Sequence, residues 1–438
     1  MLKYPCGFGH LNSTITLMLN FIVVLKLGLK STGLLLGPPI LVEKPRLVNG
    51  GKFQWISNEI VTRRVEEKFD STVWAVCLFF GLFIMNASAH GSEGQHAAKR
   101  VPAEWEPQQA IWLQWPGPWE RSYETAFARM SRVIAHYQPL HILYGSTGIQ
   151  SAARTAIERE GGDPDHPNIH WQAIPYDNAW LRDNGPVYVI EGGALKAQNW
   201  GFDAWGGAFG SVVPFRRDDQ VPKAIAELAG LSSETVDIVH ERGNLEFNGV
   251  DTVLLNWSVI GDPRRNKDYT RAQAQADMKR YFGVSKVVLI EGVPEGDLTN
   301  GHIDGIARFI NPTTVVVAKC TGFSKCHAAG NPTQVIFDAA ARTIEAAGFN
   351  VIRDPIEGSV EYRGKTYDTN YLNWLVGNGF VITVGFGNAQ TDEAAKTRLE
   401  DYFPGRDIYV IEMLESWAAG GGVHCHTNDM PVVGENGT

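Results

Sequence analysis

From Val101 onward the chain alternates short apolar, mostly β-branched runs with stretches of helical periodicity, and this rhythm restricts its fold more than any other feature. Residues 111–115, 187–190, 252–255, 287–290, 314–318 and 380–384 each read as a buried strand. Phe127, Met130, Val133 and Ile134 fall at helical spacing within 122–137, and further helices are expected near 219–230, 269–282, 332–347 and 391–402. The helix at 332 is the best marked, with Asn331 as its expected N-cap, Pro332 in the first turn and Gly348 past the end. Such units make an α/β protein. The pattern alone does not choose between an open parallel sheet and a radial arrangement. No glycine-rich phosphate loop opens a helix after a strand, so a nucleotide site has no support.

The first hundred residues differ. The apolar run from Leu17 to Leu29 is short and interrupted by Lys26, which argues against a membrane span. Further on, the basic flank Arg63-Arg64 precedes an apolar core from Val73 to Met85, and the small residues Ala87-Ser88-Ala89 follow. Those are the three parts of a secretory signal peptide, expected over 71–89 with cleavage after Ala89; an uncut anchor is the alternative. A signal peptide begins a protein, so residues 1–70 are expected to be an over-extended or disordered segment, with the true start near 60–70. Export would then leave one large domain over 100–433, with no stable membrane span.

Cysteine usage fits that picture. Of the five cysteines, Cys6 and Cys77 lie in the removable region, and Cys320 and Cys326 are close enough in sequence to close a small disulfide loop. Cys425 is left over. It lies in Gly420-Gly421-Gly422-Val423-His424-Cys425-His426, where glycines give a ligand room and an imidazole beside a thiol favours the thiolate. A buried, inert cysteine is the alternative.

Four polar stretches adjoin the expected strands, at 177–186, 240–246, 299–305 and 368–374. Singly, each has a plain explanation as a surface ion pair or a turn. A metal site using His302, Asp304 and His424 or His426 lacks a third ligand at a recognisable spacing. Together they match one chemistry. A guanidinium is planar and always charged, and carboxylates bind it in bidentate fashion. Asp183 and Asp304 can hold it, and a thiolate at Cys425 can attack its carbon. His302 can then protonate the departing amine and later activate water, with Glu241 orienting its ring. The net charge of −9 suits a small cationic substrate and argues against general nucleic-acid binding.

The stretch from Pro102 to Pro431 resembles the agmatine deiminase and bacterial peptidylarginine deiminase family. The resemblance rests on Pro102-Ala103-Glu104-Trp105-Glu106-Pro107, Trp180-x-Arg182-Asp183-x-Gly185-Pro186 and Glu241-x-Gly243-Asn244. It continues in Thr299-Asn300-Gly301-His302-x-Asp304, Tyr371-Leu372-Asn373 and the run ending His424-Cys425. It implies a five-fold pseudosymmetric α/β propeller of repeated ββαβ units, with a central site and no cofactor or metal. It also implies a covalent thiouronium-type intermediate, with Cys425 as nucleophile, His302 as acid and base, and Glu241 as its partner. By the same resemblance Asp183 and Asp304 are guanidinium ligands, and Trp180 and Asn373 are pocket walls.

Two positions depart from the family pattern. Arg242 stands where a glycine is usual, and the glycine loop before the cysteine is one residue short. The expected reaction is conversion of agmatine to N-carbamoylputrescine and ammonia. The alternatives are a secreted peptidylarginine deiminase making citrulline, and an inert binding protein on the same fold.

Overall fold

The apolar runs at 252–255, 314–318 and 380–384 are the middle strands of three small sheets built to one plan. In the first, Glu246–Phe247 pairs antiparallel with Thr252–Asn256, which pairs parallel with Lys286–Ile290, and the helix Arg271–Phe282 makes the crossover. Ala307–Asn311, Thr314–Cys320 and Asn350–Ile356 repeat that order around the helix Thr333–Ala346. Leu375–Gly377, Phe380–Gly385 and Asp407–Glu412 repeat it again around Ala389–Tyr402. A middle strand is covered on both faces, which is why Thr252–Asn256 and Phe380–Gly385 are buried throughout and read as continuous apolar runs.

Two further sheets vary the plan. Val187–Glu191, Ala194–Gly201 and Ser232–Val239 follow it, with the helix Val221–Ala229 between the last two and the short strand Lys99–Arg100 added at the edge. The last sheet joins the two ends of this unit. Thr427–Pro431 pairs antiparallel with Gln108–Gln114, which pairs parallel with Leu140–Leu143, and Ile169–Gln172 extends the row. This computed structural model describes residues 99–433, together with the strands Lys44–Val48 and Lys52–Ile56. Those two strands form an antiparallel hairpin in a separate compact unit, Met1–Ser92. The expected signal peptide over 71–89 lies outside the described residues. Among the described residues, no helix is long and apolar enough to cross a membrane.

The mixed α/β class is as expected, and the partly exposed strands are where the expectation fell short. Ser232–Val239 and Asn350–Ile356 consist mostly of exposed and half-buried residues, so they present no unbroken apolar run. Helix starts also shift. The helix expected at 332 begins at Thr333, and the Asn331 side chain accepts from the Thr333 N–H at 2.9 Å. Asn388 caps the last helix by accepting from Gln390 and Thr391. The best local cap is Thr270, which forms a reciprocal capping box with Gln273 at the start of Arg271–Phe282.

Candidate active site

The predicted site residues all come from one kind of place, the turn that leads into the first strand of a sheet. Asp183 sits in the helical turn Leu181–Asn184 before Val187–Glu191. Glu241 precedes the 3-10 turn Arg242–Asn244 and the strand at 246. His302 and Asp304 flank the start of the turn Ile303–Gly305 before Ala307–Asn311. Asn373 comes two residues before Leu375–Gly377, and Cys425 lies in the turn Val423–His426 before Thr427–Pro431. Repetition of one unit thus delivers polar side chains from five separate stretches.

His302 and Asp304, which two-residue spacing would put on one face if they lay on a strand, sit on a 3-10 turn and make different partners. The His302 ring lies between two carboxylates, with Nδ1 3.5 Å from Asp183 Oδ1 and Nε2 3.5 Å from Glu241 Oε2. Burial lowers the affinity of this imidazole for a proton, but Asp183 and Glu241 outweigh it and raise the pKa to about 9. Glu241 is in turn gripped by Arg265, whose Nε donates to Oε1 at 2.8 Å and to Oε2 at 3.1 Å. Burial would raise the Glu241 carboxyl, yet Arg265 and His302 hold it down at about 2. Asp183 is pushed up to about 6 by burial, against the pull of His302. Its Oδ2 accepts from the Trp205 indole at 2.8 Å.

The Asp304 side chain turns toward the nucleophile loop. Its Oδ2 lies 2.8 Å from His424 Nδ1 and 3.7 Å from Cys425 Sγ. Asn373 fixes the same loop. Its Oδ1 accepts from the backbone N–H of Gly422 at 3.1 Å and of His424 at 3.0 Å, while its Nδ2 lies 3.1 Å from Cys425 Sγ. A side chain on Gly421 would meet Cys425 Sγ at 2.5 Å, so the glycine is needed for the thiol to stand where it does. Burial, then the charges of Asp304 and Asp183, push the Cys425 thiol well above its ordinary range. His426 is occupied elsewhere. Its ring stacks on Trp180 at 4.2 Å and bonds Ser416 Oγ at 2.6 Å, so it orients the tryptophan.

Cys425 is reached from two adjoining cavities that share Leu298, Thr299 and Gly420. One is aromatic and holds Asp183, with Tyr123, Trp180 and Trp205 among its walls. The other is richer in charge, with Glu295, Asp297, Asp304 and Asp368 facing Lys325 and Lys365. Cys425 is the free cysteine of the described residues, and Cys320 is bonded to Cys326. The family model for the Porphyromonas-type peptidyl-arginine deiminase matches residues 100–431.

The chain belongs to that family. Its members are hydrolases that act on C–N bonds. An agmatine deiminase of Pseudomonas fluorescens is 29% identical over 368 residues, covering 77% of this chain and 96% of the relative. Among solved structures, a cysteine-to-serine variant of the C. jejuni agmatine deiminase with substrate bound superposes with a TM-score of 0.69. It is 20% identical and is covered to 99% of its length, against 78% of this chain. The agmatine deiminase of Enterococcus faecalis gives a TM-score of 0.65 at 25% identity, covering 76% of this chain and 96% of that one.

Arg242, the departure from the deiminase family pattern expected to stand beside the site, points behind it. Its guanidinium bonds Asp429 Oδ2 at 2.9 Å and Asn428 Oδ1 at 2.5 Å, and Arg182 takes Asp429 Oδ1 at 2.8 Å. Two buried arginines on one carboxylate thus pin the strand that follows Cys425. The sequence reading did not assign roles to Arg265, Trp205 or Glu104. Glu104 was visible inside a motif, but nothing near Arg265 or Trp205 in sequence pointed to Glu241 or Asp183.

Proposed function

We propose that this protein deiminates agmatine through a thiouronium intermediate on Cys425, yielding N-carbamoylputrescine and ammonia. The observation that carries the reading is the arrangement of Cys425 on a cavity wall with Asp183 and Asp304 to either side and a charged His302 behind Asp183. The carboxylates that keep the thiol protonated are the groups a guanidinium would neutralise, so substrate binding favours the thiolate. Sγ then attacks the guanidinium carbon, and a C–N bond breaks as His302 gives its proton to the departing ammonia. Neutral His302, still oriented by Glu241, takes a proton from water. That water attacks the same carbon, the S–C bond breaks, and the ureido product leaves.

Two features favour agmatine. Tyr123, Trp180 and Trp205 offer apolar faces to an alkyl chain, and Glu120 on the same cavity is an acidic group for a second amine. Peptidyl-arginine is the second reading. It is favoured by the exposure of Trp119 and Val212 at the cavity wall, where a main chain would have to pass. Export over 71–89 also favours the second reading, since an exported enzyme meets proteins outside the cell, and the Cys320–Cys326 bond supports export because disulfides persist in oxidising compartments. A five-fold pseudosymmetric propeller is the arrangement proposed for the repeated sheets, supported by their common strand order and by the pairing of Thr427–Pro431 with Gln108–Gln114.

The test is to offer the protein agmatine, free arginine and arginine-containing peptides, and to assay ammonia and ureido product. Turnover of agmatine above the others is expected. Preference for peptides would replace agmatine with the second reading, and no ammonia from any of them would overturn both.

A further inference from the structure

Asp304 is held from behind by two groups that line neither cavity. His424 Nδ1 lies 2.8 Å from Asp304 Oδ2, and His424 Nε2 lies 3.0 Å from Glu104 Oε2. The His424 ring is 1% exposed. A neutral imidazole carries one N–H and can donate to only one carboxylate. Two contacts this short therefore need a second proton in the array, on the ring or on a carboxyl oxygen.

Glu104 is itself well fixed. Its Oε2 accepts from Arg308 Nη2 at 2.7 Å and its Oε1 from the Val376 N–H at 2.7 Å. Arg308 is anchored on Glu246 and on the carbonyls of Leu372 and Trp374. This bracing begins in the stretch before the strand Gln108–Gln114 and ends beside the nucleophile.

We propose that Glu104 and His424 are positioning residues for Asp304, and that the three groups share one proton beyond the one a neutral imidazole carries, so that Asp304 gains full charge when a guanidinium docks. In one arrangement Nδ1–H donates to the Asp304 carboxylate and a Glu104 O–H donates to Nε2. In the other, each proton has moved across its own hydrogen bond: Asp304 O–H donates to Nδ1, and Nε2–H donates to the Glu104 carboxylate. Two protons are present in both. A cation beside Asp304 favours the first arrangement still further, and its departure lets the second regain some weight.

The surrounding charges bear on this balance. Arg308 and Arg182 act on His424, and burial together with these two arginines holds its ring well below the ordinary imidazole range. That places the second proton on a carboxyl oxygen. Burial raises the Asp304 carboxyl, but His424, His302 and Arg308 hold it below its ordinary range, which gives the first arrangement the greater weight, and Asp183 and Cys425 lie close by. The Glu104 charge in turn raises the affinity of Arg242, Arg406 and Glu246 for their protons.

The proposal rests on the deiminase reading for its purpose, but its test does not need turnover. In Glu104→Gln the amide oxygen set on Arg308 Nη2 occupies the Oε2 position that also meets His424 Nε2, so it can only accept the ring's Nε2–H, which confines the array to the second arrangement. The probe is iodoacetamide alkylation of Cys425 as a function of pH, in the unsubstituted protein and in Glu104→Gln. With Asp304 held protonated beside the thiol, the variant's profile is expected to move to lower pH by about half a unit or more. Superimposable profiles would overturn the proposal, whatever the fate of agmatine turnover. A purely structural role for Glu104 would shift the melting temperature and leave the profile in place. If Glu104→Gln does not fold, the histidine proton spectrum of the unsubstituted protein decides. Two downfield protons on the His424 hydrogen bonds are expected, and a single one overturns the array.

Discussion

Arg265 grips Glu241 with one nitrogen across both carboxylate oxygens, at 2.8 and 3.1 Å, and both side chains are fully buried. Arg265 also reaches the Thr299 carbonyl at 3.1 Å and Asp262 at 3.3 Å, so one guanidinium ties the Glu241 turn to the loop that carries His302. A buried ion pair contributes little net stability against an apolar replacement, but removing one partner strands the other charge. Arg265→Met is therefore expected to destabilise by about 3–5 kcal/mol. Glu241→Gln is the gentler probe. It should lower kcat by about 10²- to 10⁴-fold with little change in KM. Losing a carboxylate also lowers the His302 pKa from about 9, so the alkaline limb of the rate profile should move to lower pH. An unchanged alkaline limb would show that His302 is not the group whose proton the reaction uses.

Cys425→Ala should abolish ammonia release while leaving the fold intact, because the side chain packs in a cavity wall. Its Sγ contacts with Asn373 and Asp304 are single and replaceable, whereas the loop itself is held by the Asn373 side chain on backbone N–H groups. The paired measurement is ammonia release by the unsubstituted protein after dialysis against a chelator, which should be unaffected. Activity in Cys425→Ala, or loss of activity on chelation, would remove the thiol mechanism.

Stability should depend on pH through the same side chains. The His302 pKa is raised in the folded protein from 6.5 to about 9, so its contribution is complete below pH 6.5 and is lost as pH rises through 9. The Glu241 pKa is depressed from 4.5 to about 2, so its contribution is complete above pH 4.5 and is lost as pH falls through 2. Asp183, raised from 3.8 to about 6, acts the other way and costs stability as pH rises through that range. The three together predict a melting temperature that falls between pH 6.5 and 9. His302→Gln should flatten that alkaline fall, and a series of melting curves from acid to alkaline pH reads it directly. An alkaline fall of the same size in the variant would place its origin elsewhere.

Much of the candidate site was legible because repetition puts it in one kind of place. Asp183, Glu241 and His302 each stand in a polar stretch just ahead of a strand, and such stretches are costly to bury without purpose, while Cys425 was marked by the glycines and histidines around it and by having no partner cysteine. Their supporting residues left no such trace. Arg265 meets Glu241 from 24 positions away, and Glu104 meets His424 from 320 positions away, so no local spacing connects them. The divergence of His302 from Asp304 was hidden for a different reason. Residues two apart share a face on a strand but not on a 3-10 turn, and the Gly-rich stretch around them suits either. Strands such as Asn350–Ile356 were missed because one side faces water, which breaks the apolar run that marked their neighbours.

Gly243 offers the sharpest steric test of the His302–Asp183 pair. A methyl group at this position would stand 2.6 Å from Asp183 Oδ1 and 2.6 Å from His302 Nδ1, closer than a Cβ is found to any atom. The backbone there does not require a glycine, since its φ is not among the positive values, so the cost of Gly243→Ala falls on the two side chains and not on the turn. Both are buried and neither is a flexible end with space to retreat: Asp183 is tied to Trp205, and His302 faces Glu241. The alanine should therefore push imidazole and carboxylate apart, releasing the charge that keeps His302 protonated. Activity is expected to fall by about 10²-fold or more, since the acid and one guanidinium ligand are disturbed together. Restoring room with Asp183→Ala in the same chain should not recover it, because the charge is then missing. If Gly243→Ala retains full activity, the close approach of His302 to Asp183 is not what sets the proton on the ring.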